Sequence, residues 1–281
     1  MLYDAVYVDE AQDLAPGEIE LLVRLARRGP DGKQTLVVFY DNAQNIYGIP
    51  TPTWDKLGVN IVGRTVFLDR CLRNTREIVT LAFNVLTGSY APEGQRVTTR
   101  AFADVQSLRQ RGLVEETDGR FEIFFTPRSG PAPTVLTYNS RAEEIDGTAR
   151  LARDLIVSQK VLPSDILILY RSHHAFGNVL ARKLEAAVGD NVCVRRVDSE
   201  NSHNKRLPLV EDGVLAVSTV ASAKGYDAAV VLMIGVDEFP TDATGRATFY
   251  VGATRAKLKL TVSGVKRSVP TLLDEAVRGI S

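Results

Sequence analysis

The sequence predicts an α/β fold in which helices cover a parallel sheet. Two observations carry that prediction. Short apolar, β-branched runs alternate along the chain with segments whose apolar residues recur at helical spacing. A single stretch, residues 87–133, breaks the alternation with Gly88, Pro92, Gly94, Gly112, Gly119, Pro127, Gly130, Pro131 and Pro133. It reads as a connection, so the chain divides into α/β blocks over 1–90 and 134–281, joined by 91–133. A length of 281 residues accommodates two modest domains.

Taken in order, a strand over residues 5–8 leads to a helix over 17–28, where Ile19, Leu22, Val23 and Ala26 share one face. Strands follow at 35–40 and 65–68, then a helix over 75–86. Within the connection, 104–111 has helical spacing and 113–125 reads as a hairpin. The second block opens with a strand at 134–138 and a helix over 142–157 that aligns Ile145, Ala149, Ala152, Leu155 and Ile156. It continues with a strand at 165–170, a helix over 175–188 and a polar excursion over 195–209 that reads as an exposed loop. Strands at 213–218, 229–234 and 259–263 complete it.

Charge and cysteine usage narrow the function classes. Lys+Arg and Asp+Glu are equal at 34 each. That balance excludes a polybasic binder resting on phosphate neutralisation alone, and leaves room for nucleic acid held by stacking in a local groove. Cys71 and Cys193 are too few for a disulfide scaffold or a zinc site, which fits a reducing, cytoplasmic compartment. No run of about 18 apolar residues is present, so no membrane partner is expected.

Chemistry-bearing residues gather in five strings. The first, Asp9-Glu10-Ala11-Gln12-Asp13, follows the strand at 5–8. Adjacent acids at a strand's carboxyl end can divide the labour of holding Mg²⁺ and orienting an attacking water. They equally suit a capped strand-to-helix turn. The second, Asp41-Asn42-Ala43-Gln44-Asn45-Ile46-Tyr47, puts a glutamine beside the next strand end, where it can sense a γ-phosphate or serve as a polar turn. The third places Arg70, Arg73 and Arg76 at steps of three as the chain enters a helix. Guanidinium groups suit phosphate oxygens because they stay charged and bind bidentately; a solvated arginine face is the commoner use. The fourth, from Val217 to Asp227, offers Thr219, Ser222, Lys224 and Gly225 for a loop touching backbone phosphates. The fifth runs Tyr250-Val251-Gly252-Ala253-Thr254-Arg255-Ala256-Lys257, with Arg255 the type of residue that acts as an arginine finger.

In that order the strings resemble the later motifs, II to VI, of superfamily 1 DNA helicases of the UvrD/Rep type. The resemblance implies RecA-like P-loop NTPase sheets: one complete C-terminal lobe over 134–281 and a partial N-terminal lobe over 1–90. It implies ATP and Mg²⁺ as cofactors and single-stranded DNA as partner, with RNA left open. By resemblance Asp9 serves Mg²⁺, Glu10 is the catalytic base and Gln44 contacts the γ-phosphate. Arg73 and Arg255 reach that phosphate, and Asp227 stands where the family has a ribose-touching Glu, beside Gly225. Thr219, Ser222 and Lys224 link nucleotide to the DNA backbone, and Arg171, after the strand at 165–170, is a DNA or nucleotide contact.

The sequence departs from the family pattern at several points. Cys71-Leu72 replaces Asn-Tyr ahead of Arg73, leaving Leu72 as an apolar adenine contact. Ile49-Pro50 replaces an aromatic-Arg pair after Tyr47, and Trp54 either stacks on bases instead or anchors its loop. The family's motif V His is Ala221, and no large accessory insertion interrupts the second block.

No Gly-x-x-x-x-Gly-Lys-Ser/Thr string occurs. The nearest, Gly29-Pro30-Asp31-Gly32-Lys33-Gln34-Thr35, has its glycines too close, puts Gln34 where the Mg²⁺-binding hydroxyl belongs, and precedes a strand. The P-loop is therefore expected upstream of this chain or on a partner chain, and the chain alone is expected to be inactive. Such a cut would leave exposed apolar residues on the strands at 5–8 and 37–39. The alternative is a non-catalytic helicase-like module that binds nucleic acid or protein.

Overall fold

The structure is a computed structural model and describes residues 2–30, 32, 34–66, 70–91, 103–171, 174–198 and 208–280. The chain forms two compact units, Met1–Asp69 and Arg70–Ser281.

In the first unit, β1 (Val6–Val8) leads through a 3-10 turn at Ala11–Asp13 to α1 (Pro16–Leu25) and then to β2 (Leu36–Val38). Pro16 opens α1, where a missing N–H costs nothing, and the Glu18 carboxylate accepts the Ala15 N–H at 2.7 Å. The strands pair in parallel with Val6, Tyr7 and Val8 opposite Leu36, Val37 and Val38. Parallel strands are ordinarily covered on both faces. Here only Val8 is buried; Tyr7 is 68% and Phe39 50% exposed. The exposed apolar residues expected on these strands are thus present. Of the strand expected at 65–68, Thr65 and Val66 lie in no strand, and residues 67–69 lie outside the described residues.

The second unit begins with α2 (Arg76–Thr87), α3 (Ala103–Gln110) and the hairpin β3 (Val114–Thr117) and β4 (Arg120–Ile123). An Asp118-Gly119 turn with both residues at positive φ closes that hairpin. Val79 and Phe83 of α2 pack with Val105, Val114, Phe121 and Ile123 in one cluster. Buried Asn84 clamps the hairpin, donating to the Phe121 carbonyl and accepting the Phe121 N–H at 2.7 Å each.

A six-stranded, all-parallel sheet follows. Its elements are β5 (Thr134–Tyr138), α4 (Arg141–Arg153), β6 (Ile166–Tyr170), α5 (His174–Val188), β7 (Cys193–Val197), β8 (Val214–Thr219), β9 (Ala228–Met233), α6 (Ala243–Ala253), β10 (Ala256–Val265) and α7 (Leu272–Ile280). The strand order is β5-β10-β9-β6-β8-β7. Alternation decides the layers. Ile166, Ile168 and Tyr170 of β6, with Leu215 and Val217 of β8, pack under Ile145 and Ala149 of α4 and Leu180 and Leu184 of α5. Every residue of β6 and β8 is buried, as in a sheet covered on both faces. This doubly wound α/β sheet is the fold class that the alternation predicts and is consistent with a RecA-like lobe.

The sequence divides the chain at residue 90, whereas the compact units divide after Asp69. The reason is α2, which packs against α6, α7 and β4 and so belongs physically with the later sheet. The connection at 91–133 contributes α3 and the hairpin to that same body; residues 92–102 lie outside the described residues. The polar excursion expected at 195–209 opens as β7, an edge strand paired with β8, and residues 199–207 of it lie outside the described residues. Among the described residues, no helix is long and apolar enough to cross a membrane.

Candidate functional site

In the first unit a polar cluster lies at the carboxyl ends of β1 and β2. Asp9 and Glu10 follow Val8 directly. Glu10 adopts a left-handed backbone (φ 50°, ψ 40°), which costs a non-glycine residue about 1 kcal/mol and is frequent where a side chain must be aimed. Its N–H donates to Asp9 Oδ1 at 2.9 Å. Gln12, 2% exposed, joins the two strand ends: its Nε2 donates to Glu10 Oε2 and its Oε1 accepts the Asp41 N–H at 3.0 Å. Asp41 caps the turn Asn42–Gln44, accepting Ala43 N–H at 3.0 Å and Gln44 Nε2 at 2.7 Å. The acid pair and Gln44 are therefore linked through Gln12 and Asp41. Sequence reasoning gave Gln12 no role, although its place inside the acidic string was a usable signal.

Asp9 is exposed at this strand end, and Glu10 is half-buried. Among the described residues no three His, Cys, Asp or Glu side chains form a metal cage. Mg²⁺ seldom needs one, since a single carboxylate with phosphates and waters completes its shell, so Asp9 suits it in that role. Tyr47 is 55% exposed. Trp54 is half-buried, its ring edge-on to Tyr40 at 5.8 Å, so one side of the indole is already engaged within its loop.

The second unit brings three of the sequence-derived candidates together. Asp227 immediately precedes β9, Arg255 immediately precedes β10, and Arg73 lies in the loop entering α2. The Nη1 atoms of Arg73 and Arg255 stand 3.3 and 3.8 Å from the same Asp227 oxygen, Oδ1. That oxygen is buried and accepts no hydrogen bond. Arg255 is buried, with Nε donating to the Val251 carbonyl at 3.1 Å, while Arg73 is about half exposed. A buried guanidinium needs a counter-charge, which Asp227 supplies. Two guanidinium groups converging on one anionic oxygen form a geometry equally suited to a phosphoryl oxygen. Of the other arginines in that string, Arg76 donates to the Thr126 carbonyl at 3.4 Å and Arg70 is exposed; neither is paired with Asp227.

The remaining candidates are spread along the sheet: Leu72 and Gly225 neighbour Arg73 and Asp227 in sequence, whereas Thr219, Ser222 and Arg171 lie at the carboxyl ends of β8 and β6. Leu72 is 66% exposed and free to offer an apolar surface. Gly225 has φ +88°, a backbone that side chains resist, with open space where a Cβ would stand. At the carboxyl end of β8, Thr219 Oγ1 accepts the Ser222 N–H at 3.1 Å and donates to Ser222 Oγ at 3.0 Å, folding the loop onto itself; Lys224 is half-buried. Arg171, past the end of β6, is exposed and donates to the Glu238 carbonyl at 3.3 Å. Beneath it, Tyr170 donates to Asp198 Oδ2 at 2.7 Å; burial, together with that carboxylate, pushes the phenol well above its ordinary range.

Asn74 was not expected. Buried next to Arg73, its Nδ2 donates to the carbonyls of Thr254 and Ala256, 2.7 Å each, on either side of Arg255. A lone asparagine whose partners lie 180 residues away leaves no local sequence signal.

No family model and no curated protein sequence matches this chain. Among solved structures, it is similar to the C-terminal domain of a possible DNA helicase from Lactobacillus plantarum WCFS1. The TM-score is 0.45 with 19% identity, over 74% of this chain and 94% of that one.

Proposed function

We propose that this chain is the portion of an ATP-dependent superfamily 1 helicase or translocase that carries motifs II to VI, acting on single-stranded DNA with 3′ to 5′ polarity. The observation that carries the reading is the convergence of Arg73 and Arg255 on one buried carboxylate oxygen, at positions their motifs mark for a γ-phosphate. It is supported by the five strings in their order and by the Glu10–Gln12–Asp41–Gln44 linkage at the ends of β1 and β2. In this reading Asp9 would hold Mg²⁺, which when bound would screen the charge of the nucleotide's phosphates. Glu10 orients and deprotonates the attacking water, Gln44 reports the γ-phosphate, and the two arginines stabilise charge developing on it. Leu72 lies against adenine and Gly225-Asp227 against ribose. Tyr47 and Trp54 stack on bases, while Thr219, Ser222, Lys224 and Arg171 hold the DNA backbone.

The phosphate-cradling loop is not encoded within these residues and would come from further sequence of the same polypeptide or from a partner chain. The chain alone would then bind Mg·ATP and oligothymidine weakly without turnover. Titration with both ligands, in wild type and in the exposed-site variant Arg73→Ala, tests this. A roughly tenfold loss of ATP affinity in the variant is expected for one charge-assisted contact. ATP affinity indifferent to Arg73, or DNA-stimulated hydrolysis by the chain alone, overturns the reading. A chain that binds oligothymidine and never ATP would instead be a non-catalytic helicase-like binding module.

A further inference from the structure

We infer that Asn74 is a positioning residue that makes Arg73 and Arg255 act on one anionic oxygen as a single two-pronged grip. The inference rests on the nucleotide reading above. Three observations converge on it. Asn74 follows Arg73 directly and is 3% exposed, so the peptide it fixes is the one that carries the first arginine. Its two amide hydrogens go to the carbonyls of Thr254 and Ala256 at 2.7 Å each, the residues on both sides of the second arginine. And the two guanidinium groups meet at one atom, Asp227 Oδ1, which shows that the backbone arrangement already focuses them.

The chemistry singles out asparagine. A planar amide offers two donors from one nitrogen, at an angle that spans carbonyls two residues apart. Serine or threonine has one donor, and aspartate would set a carboxylate against two carbonyl oxygens. The amide cannot be flipped for the same reason, since its Oδ1 would then face those carbonyls; instead it faces Cys71 Sγ at 3.4 Å. The strand register contributes as well. Ala256 begins β10 and pairs with Ala228, the residue after Asp227, so the tie also fixes Arg255 against the carboxylate. Among the described residues the amide's hydrogen bonds go to main chain and Cys71, so Asn74 acts through the arginines and not on a ligand.

A staple that merely held the fold together would lower stability and leave the partnership of the arginines intact. The test therefore measures that partnership. Binding of inorganic tripolyphosphate is followed by calorimetry at low ionic strength for wild type, Arg73→Ala, Arg255→Met and the double variant, and the cycle is repeated with Asn74→Ala. Two groups gripping one anion are coupled, so with Asn74 present the double variant should lose about tenfold less than the product of the single losses. With Asn74→Ala the single losses should become independent and the coupling factor fall to near one. Coupling that survives Asn74→Ala while tripolyphosphate still binds through Arg73 overturns the positioning role and leaves the nucleotide reading standing. Wild-type chain that does not bind tripolyphosphate through Arg73 overturns the nucleotide reading, and this role with it. If Asn74→Ala does not fold, Asn74→Ser, which keeps one donor, must show reduced coupling; full coupling in that variant overturns the proposal.

Discussion

Replacing Glu275 by alanine should be among the most damaging single substitutions in the second unit. Glu275 and Arg246 form a bidentate pair, Nη1 to Oε2 and Nη2 to Oε1 at 2.7 Å each, with Glu275 2% exposed and Arg246 fully buried. Arg246 also donates to the Val85 carbonyl at 2.6 Å and to the Thr241 carbonyl at 3.0 Å, so one guanidinium joins α6, α7 and α2. Glu275→Ala leaves that charge buried with two neutral acceptors and no counter-ion, a loss of about 3–5 kcal/mol. For a unit the size of Arg70–Ser281, where each kcal/mol moves the midpoint by about 2–4 °C, Tm should fall by about 10 °C. Urea denaturation followed by far-UV circular dichroism reads the free energy directly, because the m-value shows whether the folded state stayed compact. The control is Glu20→Ala, which removes the exposed Arg24–Glu20 pair on α1 and should change stability by less than about 0.5 kcal/mol. The double variant Arg246→Met/Glu275→Leu should recover most of the loss, since an apolar pair requires no counter-charge. A Glu275→Ala loss below about 1 kcal/mol, or one equalled by Glu20→Ala, would refute the argument that an isolated buried charge dominates here.

Two further outcomes follow from local geometry. Desolvation alone would raise the Glu77 pKa, but hydrogen bonds from Ser129 Oγ at 2.5 Å and Gly130 N–H at 2.9 Å, with Arg76 nearby, outweigh it and hold the carboxyl below its ordinary value of 4.5. A depressed carboxylate stabilises the fold above its unfolded pKa, and that contribution is lost as pH falls through the folded value, so wild type should exceed Glu77→Gln in stability at pH 7 and converge with it in acid. Gly245 lies against the main chain of Pro240, where a Cβ would overlap the carbonyl, so Gly245→Ala should lower Tm by several degrees even though the helix interior otherwise favours alanine; an unchanged Tm would show that the segment before α6 can yield.

The parts of the fold legible in the sequence are those whose cause is local. Short apolar runs at β6, β8 and β9 and helical spacing on α4 and α5 place the doubly wound sheet, and Asp118-Gly119 marks the hairpin. β7 was hidden because Arg195 and Arg196 make it look like loop; as an edge strand it can carry charge, with Arg195 Nη1 against Glu211 at 2.5 Å and Arg196 on Asp198. The unit boundary was misplaced for a tertiary reason, since no property of α2 itself reveals that its partners are α6 and α7. The same contrast holds for the site. Asp9, Glu10 and Arg255 are visible as residue types at strand ends and Arg73 at a helix entry, whereas the ties of Gln12 to Asp41 and of Asn74 to Thr254 and Ala256 run to partners distant in sequence.

One consequence lies in the length of a connection. β8 ends at Thr219 and its parallel neighbour-but-one, β9, begins at Ala228, so residues 220–227 must carry the chain from one end of the sheet to the other. Those eight residues do not run straight: Ser222 is tied to Thr219, and Ala223 and Tyr226 close backbone turns. The segment is a short strap pinned by these turns. It joins the hydroxyl end, where Thr219 sits, to Asp227, the carboxylate between the two arginines. A contact at one end of the sheet is thus only eight residues of chain from the carboxylate at the other.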